Sequence, residues 1–355
     1  MALLWLAAAC QSVQQFSIDY MLPAEVSFPA SLRRVGVVNN MSASSGSVPP
    51  EAEVPKDENE IARKTDYYIG NSAVAAESLA QALADGNYFD EVVICDSALR
   101  AGDVSPREAV LSREEVNTLA RDLGVDFLIA LEDLPMRSTA IVGYLPDVQA
   151  YYGTVDVKVY PTFRIYVPNR RGPLTTIQSA DSIYWEDAGL SVDEVQARLV
   201  SPDKLVQAAS EFAGTTPVRY LLPHWKSAPR YLFTGGSVDM RDAAVYVREQ
   251  NWEAAIRLWK RHYGRKEGRQ KMYAACNIAL GYEMQDSLEA AAEWAEKARQ
   301  VAANLDQLHQ RQADGLEAFD VPNYVFTTVY LNELLERKQG LSRLHMQMQR
   351  FKEDF

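Results

Sequence analysis

Cysteine is scarce in this chain: Cys10, Cys95 and Cys276 are the only three in 355 residues. At most one bridge could form, so a disulfide framework is excluded. Positive charge is in deficit as well, with 36 Lys and Arg against 48 Asp and Glu and a net charge of −12. A protein that tracks nucleic-acid phosphates needs a basic face, so no nucleic-acid partner is expected. After the first few residues no apolar run approaches the roughly 18 residues of a membrane-spanning helix. Histidine is sparse: His224, His262, His309 and His345 lie far apart, without the H-x-x-x-H or C-x-x-C spacing that puts ligands on one face. No metal site is expected. The glycine-rich phosphate loops and the G-x-S-x-G nucleophile elbow are missing too, so no cofactor and no catalytic residue is assigned and the chain is read as a non-enzyme. Asp181, Glu186 and Asp187 lie close in sequence near a strand, but in an acidic protein such residues are usually solvated. Cys95 and Cys276 sit in apolar segments, where a thiol acts as a small hydrophobe.

What is present begins with MALLWLAAAC, an apolar run too short to cross a bilayer and ending in small residues before Cys10. It resembles the lipobox of bacterial lipoproteins, which implies that residues 1–10 are a signal segment and that Cys10 is lipidated. Leu6 stands four residues before the cysteine instead of three, and a basic n-region is missing. The resemblance implies a lipid-anchored protein of the cell envelope, at the outer membrane and facing the periplasm, since no acidic cluster follows Cys10. Residues 11–30 then read as a tether.

From residue 31 to 222 the pattern alternates between strand and helix. Arg33–Asn40, which runs into a turn, Glu91–Asp96 and Asp126–Leu131 are short buried strands, because apolar runs are bounded by charge or turn residues. Residues 71–85 form a helix behind an Asn or Ser cap. Ser112-Arg113-Glu114-Glu115 is a capping box opening a helix that Gly124 closes. Residues 41–60, rich in Ser and Pro, read as a mobile loop. The segments 151–167 and 174–186 alternate like two long antiparallel strands joined by Asn169-Arg170-Arg171-Gly172, and 201–222 return to helix. The segments RRVGVVNN, ALADGNYFDEVVICD and LARDLGVDFLIALEDL, followed by paired strands, resemble the α/β domain of envelope lipoproteins related to the curli-secretion pore subunit and to penicillin-binding-protein activators. That resemblance implies an assembly or adaptor module.

Residues 223–240, with Pro223, Pro229, Gly235 and Gly236, read as a joint, and 241–355 as a helical domain. There an internal repeat stands out: Ala243, Tyr246, Trp252, Ala255 and Trp259 recur, 36 residues later, as Ala279, Tyr282, Leu288, Ala291 and Ala295. A period near 34 residues resembles tetratricopeptide repeats, as in lipoproteins of the Bacteroidota that pair such repeats with an α/β domain. Close packing is the physical reason: the alanines let the helices approach, and Tyr246 and Tyr282 would fill the groove between them. Arg257, Lys260, Arg261, Arg265, Lys266 and Arg269, with Lys271, form a basic cluster in an acidic chain, either an ordinary solvated face or a docking face for an acidic partner.

The fold class expected is α+β, a small mixed-sheet α/β domain followed by an all-α tetratricopeptide-like domain. The function expected is a membrane-anchored scaffold or assembly adaptor whose repeats hold a protein partner. Two alternatives stand beside it: a structural subunit of a homo-oligomeric envelope assembly, and an enzyme that binds an envelope polymer or ligand.

Overall fold

The protein was analysed as a computed structural model, which describes residues 12–42, 60–95, 97–100, 110–308 and 320–351. The chain is of the α+β class and divides into two compact units. One comprises Ala24–Pro223 with the last residues from Gln347, and the other Met1–Pro23 with His224–Met346.

The first unit is built on two sheets. β2 (Arg34–Asn39) lies between β4 (Glu91–Cys95) and β5 (Phe127–Asp133), parallel to both, and β8 (Thr162–Tyr166) and β9 (Thr175–Gln178) extend that sheet antiparallel, giving the order β4-β2-β5-β8-β9. Both faces of β5 are buried, and its side chains alternate between two cores. Phe127, Ile129 and Leu131 pack with α1 (Ser72–Asp85) and α4 (Pro202–Thr215), while Leu128 and Ala130 pack with α2 (Arg113–Leu123). Local chemistry sets these helices. Asn71 caps α1 through the Val74 amide, and Ser112 and Glu115 close a reciprocal capping box on α2, which Gly124 ends in the left-handed conformation.

A second, four-stranded antiparallel sheet has the order β10-β7-β6-β3, formed by β10 (Asp181–Gly189), β7 (Ala150–Val159), β6 (Pro135–Leu145) and β3 (Glu60–Ile69). The chain passes directly between the sheets three times, at Leu134, at Tyr160-Pro161 and at Ser179-Ala180. The two long strands expected at 151–167 and 174–186 therefore exist as an antiparallel pair, but each is broken and shared between sheets. Proline cannot donate to a ladder. At the breaks the Tyr160 amide donates to the Pro135 carbonyl and the Ser179 amide to that of Pro161. The small sheet expected is thus nearly doubled, and Glu60, placed at the end of a loop over 41–60, opens β3; residues 43–59 of that loop lie outside the described residues.

The second unit holds α6 (Val238–Arg248), α7 (Trp252–Arg265), α8 (Gly268–Glu283), α9 (Leu288–Leu305) and α10 (Pro322–Met348). It also contains an antiparallel ribbon of β1 (Val13–Leu22) and β11 (His224–Phe233), in register from Val13 opposite Phe233 to Leu22 opposite His224. The segments read as a tether and as a joint are therefore largely the two strands of one element. Ribbon and helices share a core: Leu232 and Phe233 pack with Met240, Ala243, Ala255, Trp259 and Ala275, and the Asn277 carboxamide bonds both the amide and the carbonyl of Phe233. Alanine dominates the helix interfaces, with Ala274, Ala279, Ala291, Ala295, Ala298 and Ala302 all buried, so the backbones approach closely.

Candidate functional site

In the α/β unit, polar chemistry gathers where β2 and β5 end, the crevice that parallel sheets commonly use for ligands. Glu132, on β5, is largely buried; it accepts from the Tyr166 hydroxyl (2.7 Å) and the Asn40 carboxamide (2.8 Å), with Arg164 at 3.8 Å. Burial raises the Glu132 carboxyl above its ordinary value against the pull of those bonds, and burial followed by the bond to Glu132 raises Tyr166. Arg100 donates to Asn40 (3.1 Å) and pairs with Glu115 (2.9 Å), the Leu111 amide donates to Tyr166, and Asn39 donates to Ser72 at the start of α1. The arrangement pins the ends of β2 and β5 to the neighbouring segments as a clamp.

Asp181, Glu186 and Asp187 do not converge. Strand alternation puts Glu186 on the opposite face of β10 from the other two, Asp181 faces Arg219 and Asp187 faces Arg198. Cys95 is half-buried, and burial pushes the Cys276 thiol up to about 12, so it is protonated at neutral pH. Among the described residues no three His, Cys, Asp or Glu side chains gather into a metal-binding group.

The helical unit contains what sequence reasoning missed. Arg230, on β11 and 4% exposed, forms a two-pronged pair with Glu283 of α8 (both bonds 2.8 Å) and a third bond to Glu333 of α10 (2.8 Å). Glu283 also accepts from the Tyr330 hydroxyl (2.8 Å) and Arg337 (2.5 Å). Burial disfavours the Arg230 charge, but Glu283 outweighs it and raises its pKa; burial and then Glu283 also raise that of Tyr330. A cavity of about 250 Å³ adjoins this cluster, walled mainly by apolar atoms of Tyr231, Leu280, Phe326 and Val329.

Of the expected repeat positions, Ala243, Ala255, Trp259, Ala279 and Ala291 are fully buried, and Trp252 and Tyr282 are half-buried. Tyr246 departs from expectation. At 37% exposed on α6 it fills no interhelical groove, because Ala243 and Ala244 already bring the helix into contact. The basic cluster splits. Arg257 pairs with Glu253, Arg261 with Asp239 and Lys271 with Glu267, whereas Arg265, Lys266 and Arg269 are exposed and have no ion pair among the described residues. Lys260 donates to the Tyr282 hydroxyl (2.6 Å) and lies over the Tyr282 and Trp294 rings; Lys297 also covers Trp294, and Tyr263 meets Trp294 edge-on at 5.1 Å. α7, α8 and α9 thus share a half-exposed aromatic face ringed by lysines. Cys10 and His309 lie outside the described residues.

His262 is 1% exposed, between the Ser237 hydroxyl at its Nδ1 (3.0 Å) and the Gln270 side chain at its Nε2 (3.3 Å). Burial, aided by the Lys266 charge, lowers its pKa from 6.5, against the Gln270 bond and Asp239. The folded chain therefore takes up this proton at lower pH than the unfolded chain does. The His262 contribution to stability is complete above 6.5 and is lost as pH falls through the lowered value. Denaturant titrations at stepped pH should show the midpoint falling below 6.5, with a shallower fall in His262→Gln, which keeps polar atoms between Ser237 and Gln270. Parallel curves would assign the loss to other groups.

No curated protein is significantly similar to the chain. A second family model, described as Domain of unknown function (DUF6340), matches residues 241–336, nearly all of the helical region from α6 into α10. The match that covers more than half of the chain runs from residue 32 to 233, through the clamp and both sheets to the end of β11, and by it the chain belongs to the family described as Domain of unknown function (DUF8603).

Proposed function

We propose that this chain is a lipid-anchored envelope protein, held at the outer membrane through Cys10, that binds a protein partner with its helical unit and performs no catalysis. The observation that carries the reading is the lysine-ringed aromatic face of Tyr263, Tyr282 and Trp294 on α7–α9. Half-exposed aromatics over which cations lie combine apolar contact area with polar handles, the composition enriched at protein interfaces. Lysine on the rim suits an acidic partner by charge.

The test is site-specific photocrosslinking from position 293, exposed on α9 beside Trp294, in native envelopes. A single protein species should be captured, and Lys260→Glu with Lys297→Glu should abolish its capture without altering the far-ultraviolet circular dichroism. Capture that survives both charge reversals would overturn the reading. Point variants are preferred to truncation, because a cut after Gly235 would strip the helices from the β1–β11 ribbon.

A second reading, a homo-oligomeric assembly, draws on the α/β unit. β3 and β10 are the edges of the four-stranded sheet, and Ile61, Ile69 and Tyr184 are exposed on them. A discrete high-order mass by light scattering in detergent would favour it over the adaptor.

A further inference from the structure

Three exposed basic residues with no ion pair among the described residues, Arg265, Lys266 and Arg269, stand together on the α7–α8 turn of the helical unit, and that turn is linked to the start of β1. The Ser12 carbonyl, one residue before β1, accepts from the Thr234 amide (2.9 Å), and a Cβ placed on Gly235 would lie 2.8 Å from the Ser12 Cβ. The next residue, Gly236, lies so close to the Gln270 carboxamide that a Cβ there would overlap it. Gln270 contacts His262, whose carbonyl accepts from the Lys266 amide (3.1 Å), and Gln270 directly follows Arg269. Ser12, the 234–237 loop and the α7–α8 turn are therefore one continuous patch.

The composition of that patch is distinctive in a chain of net charge −12. Arg265, Lys266 and Arg269 stand exposed without ion pairs among the described residues, while Glu267, the one acid on the turn, is taken by Lys271. Asp239, the acid nearest in α6, is taken by Arg261. Two apolar side chains point outward beside them: Val238, the first residue of α6, is 60% exposed, and Val13, the first of β1, is 37% exposed. Unpaired cations flanked by exposed aliphatic residues form the surface that lies on anionic headgroups.

We propose that this patch docks on the anionic lipid surface of the membrane that anchors the chain. The inference rests on the lipid-anchor reading: Cys10 stands two residues before Ser12 in the sequence, so an acyl group on it would attach the chain beside the strand that begins at the patch. Lipid and charge then act as two signals for one attachment, and the helical unit lies against the bilayer instead of swinging on a leash.

The experiment uses the full chain carrying Cys10→Ala, which cannot be acylated, sedimented with vesicles of phosphatidylcholine alone or mixed equally with phosphatidylglycerol. Binding should require phosphatidylglycerol and weaken with added salt. Each basic residue near an anionic surface is worth about fivefold, so the triple variant Arg265→Gln, Lys266→Gln, Arg269→Gln should partition about 100-fold more weakly. Circular dichroism establishes that the exposed substitutions leave the fold intact. Equal binding to both vesicle types, or an unchanged triple variant, overturns the proposal. So does a triple variant that partitions normally but loses a crosslinked protein, since the turn then serves an acidic protein. The intact mass of the native mature chain reports the acyl group separately: an unmodified Cys10 with charge-dependent partitioning removes the anchor and leaves the patch standing.

Discussion

Glu283→Ala is expected to cost about 3 kcal/mol of stability, because it takes the two-pronged partner from buried Arg230 and leaves it only the partly exposed Glu333. Glu283 is itself buried, and four donors occupy its carboxylate: two from Arg230, one from Tyr330 and one from Arg337. A carboxylate has about four lone-pair sites, so the group is saturated and water cannot replace it without opening the unit. The pair is worth far less than that loss suggests, since desolvating two charges consumes most of their attraction. Arg230→Met combined with Glu283→Leu should therefore recover most of the deficit. Glu333 and Arg337, both less buried, keep partial access to water. Denaturant unfolding of Glu283→Ala, of the singles Arg230→Met and Glu283→Leu, and of their double checks this. A Glu283→Ala loss below about 1 kcal/mol, or additive losses in the double, would show that the cluster is not coupled.

The double variant also separates stability from specificity. Arg230 ties β11 to α8 and α10 through residues far apart in sequence, so it selects one arrangement of the ribbon against the helices. If the double variant is stable yet gives broadened amide resonances along β11, the cluster contributes uniqueness more than energy.

Legibility in the sequence followed the range of the physics involved. The α1 cap, the α2 capping box and the Gly124 terminus were readable because each is settled within a few residues by hydrogen bonds to nearby amides. β2 and β5 were readable because strands buried on both faces appear as short apolar runs, and the half-buried edge strand β4 carries a similar run. β1 was passed over although Phe16, Ile18, Tyr20 and Leu22 alternate, since its position just after a lipobox-like cysteine suggested a tether. β11 was obscured by Pro229. A proline is tolerated there because a two-stranded ribbon leaves alternate amides on each strand without ladder partners. With β11 unread, Arg230 could not be seen to share the buried face of Ala228 and Leu232, and the Arg230–Glu283 cluster went with it. The basic turn at 265–269 was visible as charge, but its closeness to the N-terminus depends on the Ser12–Thr234 pairing, which no local pattern encodes. Tyr246 was misplaced because a 36-residue offset matches positions without saying which face of the helix each occupies.

Gly214→Ala tests the α/β unit by the sign of its effect. Alanine is favoured over glycine in a helix by at most about 1 kcal/mol, less in a last turn such as that of α4, so propensity alone makes the change stabilising. Gly214 lies in α4 where it crosses α1, however. An added Cβ would press into the Ala75 carbonyl, at 2.8 Å from the Ser78 Cβ and 3.0 Å from the Leu79 amide nitrogen. Two of those obstacles are backbone, which cannot rotate away as a side chain can, so the helices must separate. That separation would loosen Leu79 and Ala213 from the core they share with Phe127. Overpacking of this kind costs about 1–3 kcal/mol, more than propensity returns, and the net result is destabilisation. Gly264→Ala is the matched control. It lies exposed in the last turn of α7 with nothing within 4 Å of the added Cβ, so there propensity acts alone and the variant gains up to about 1 kcal/mol. Opposite signs in denaturant unfolding establish the α1–α4 contact as the tight joint of the unit; a stabilised Gly214→Ala would mean that the two helices part at little cost.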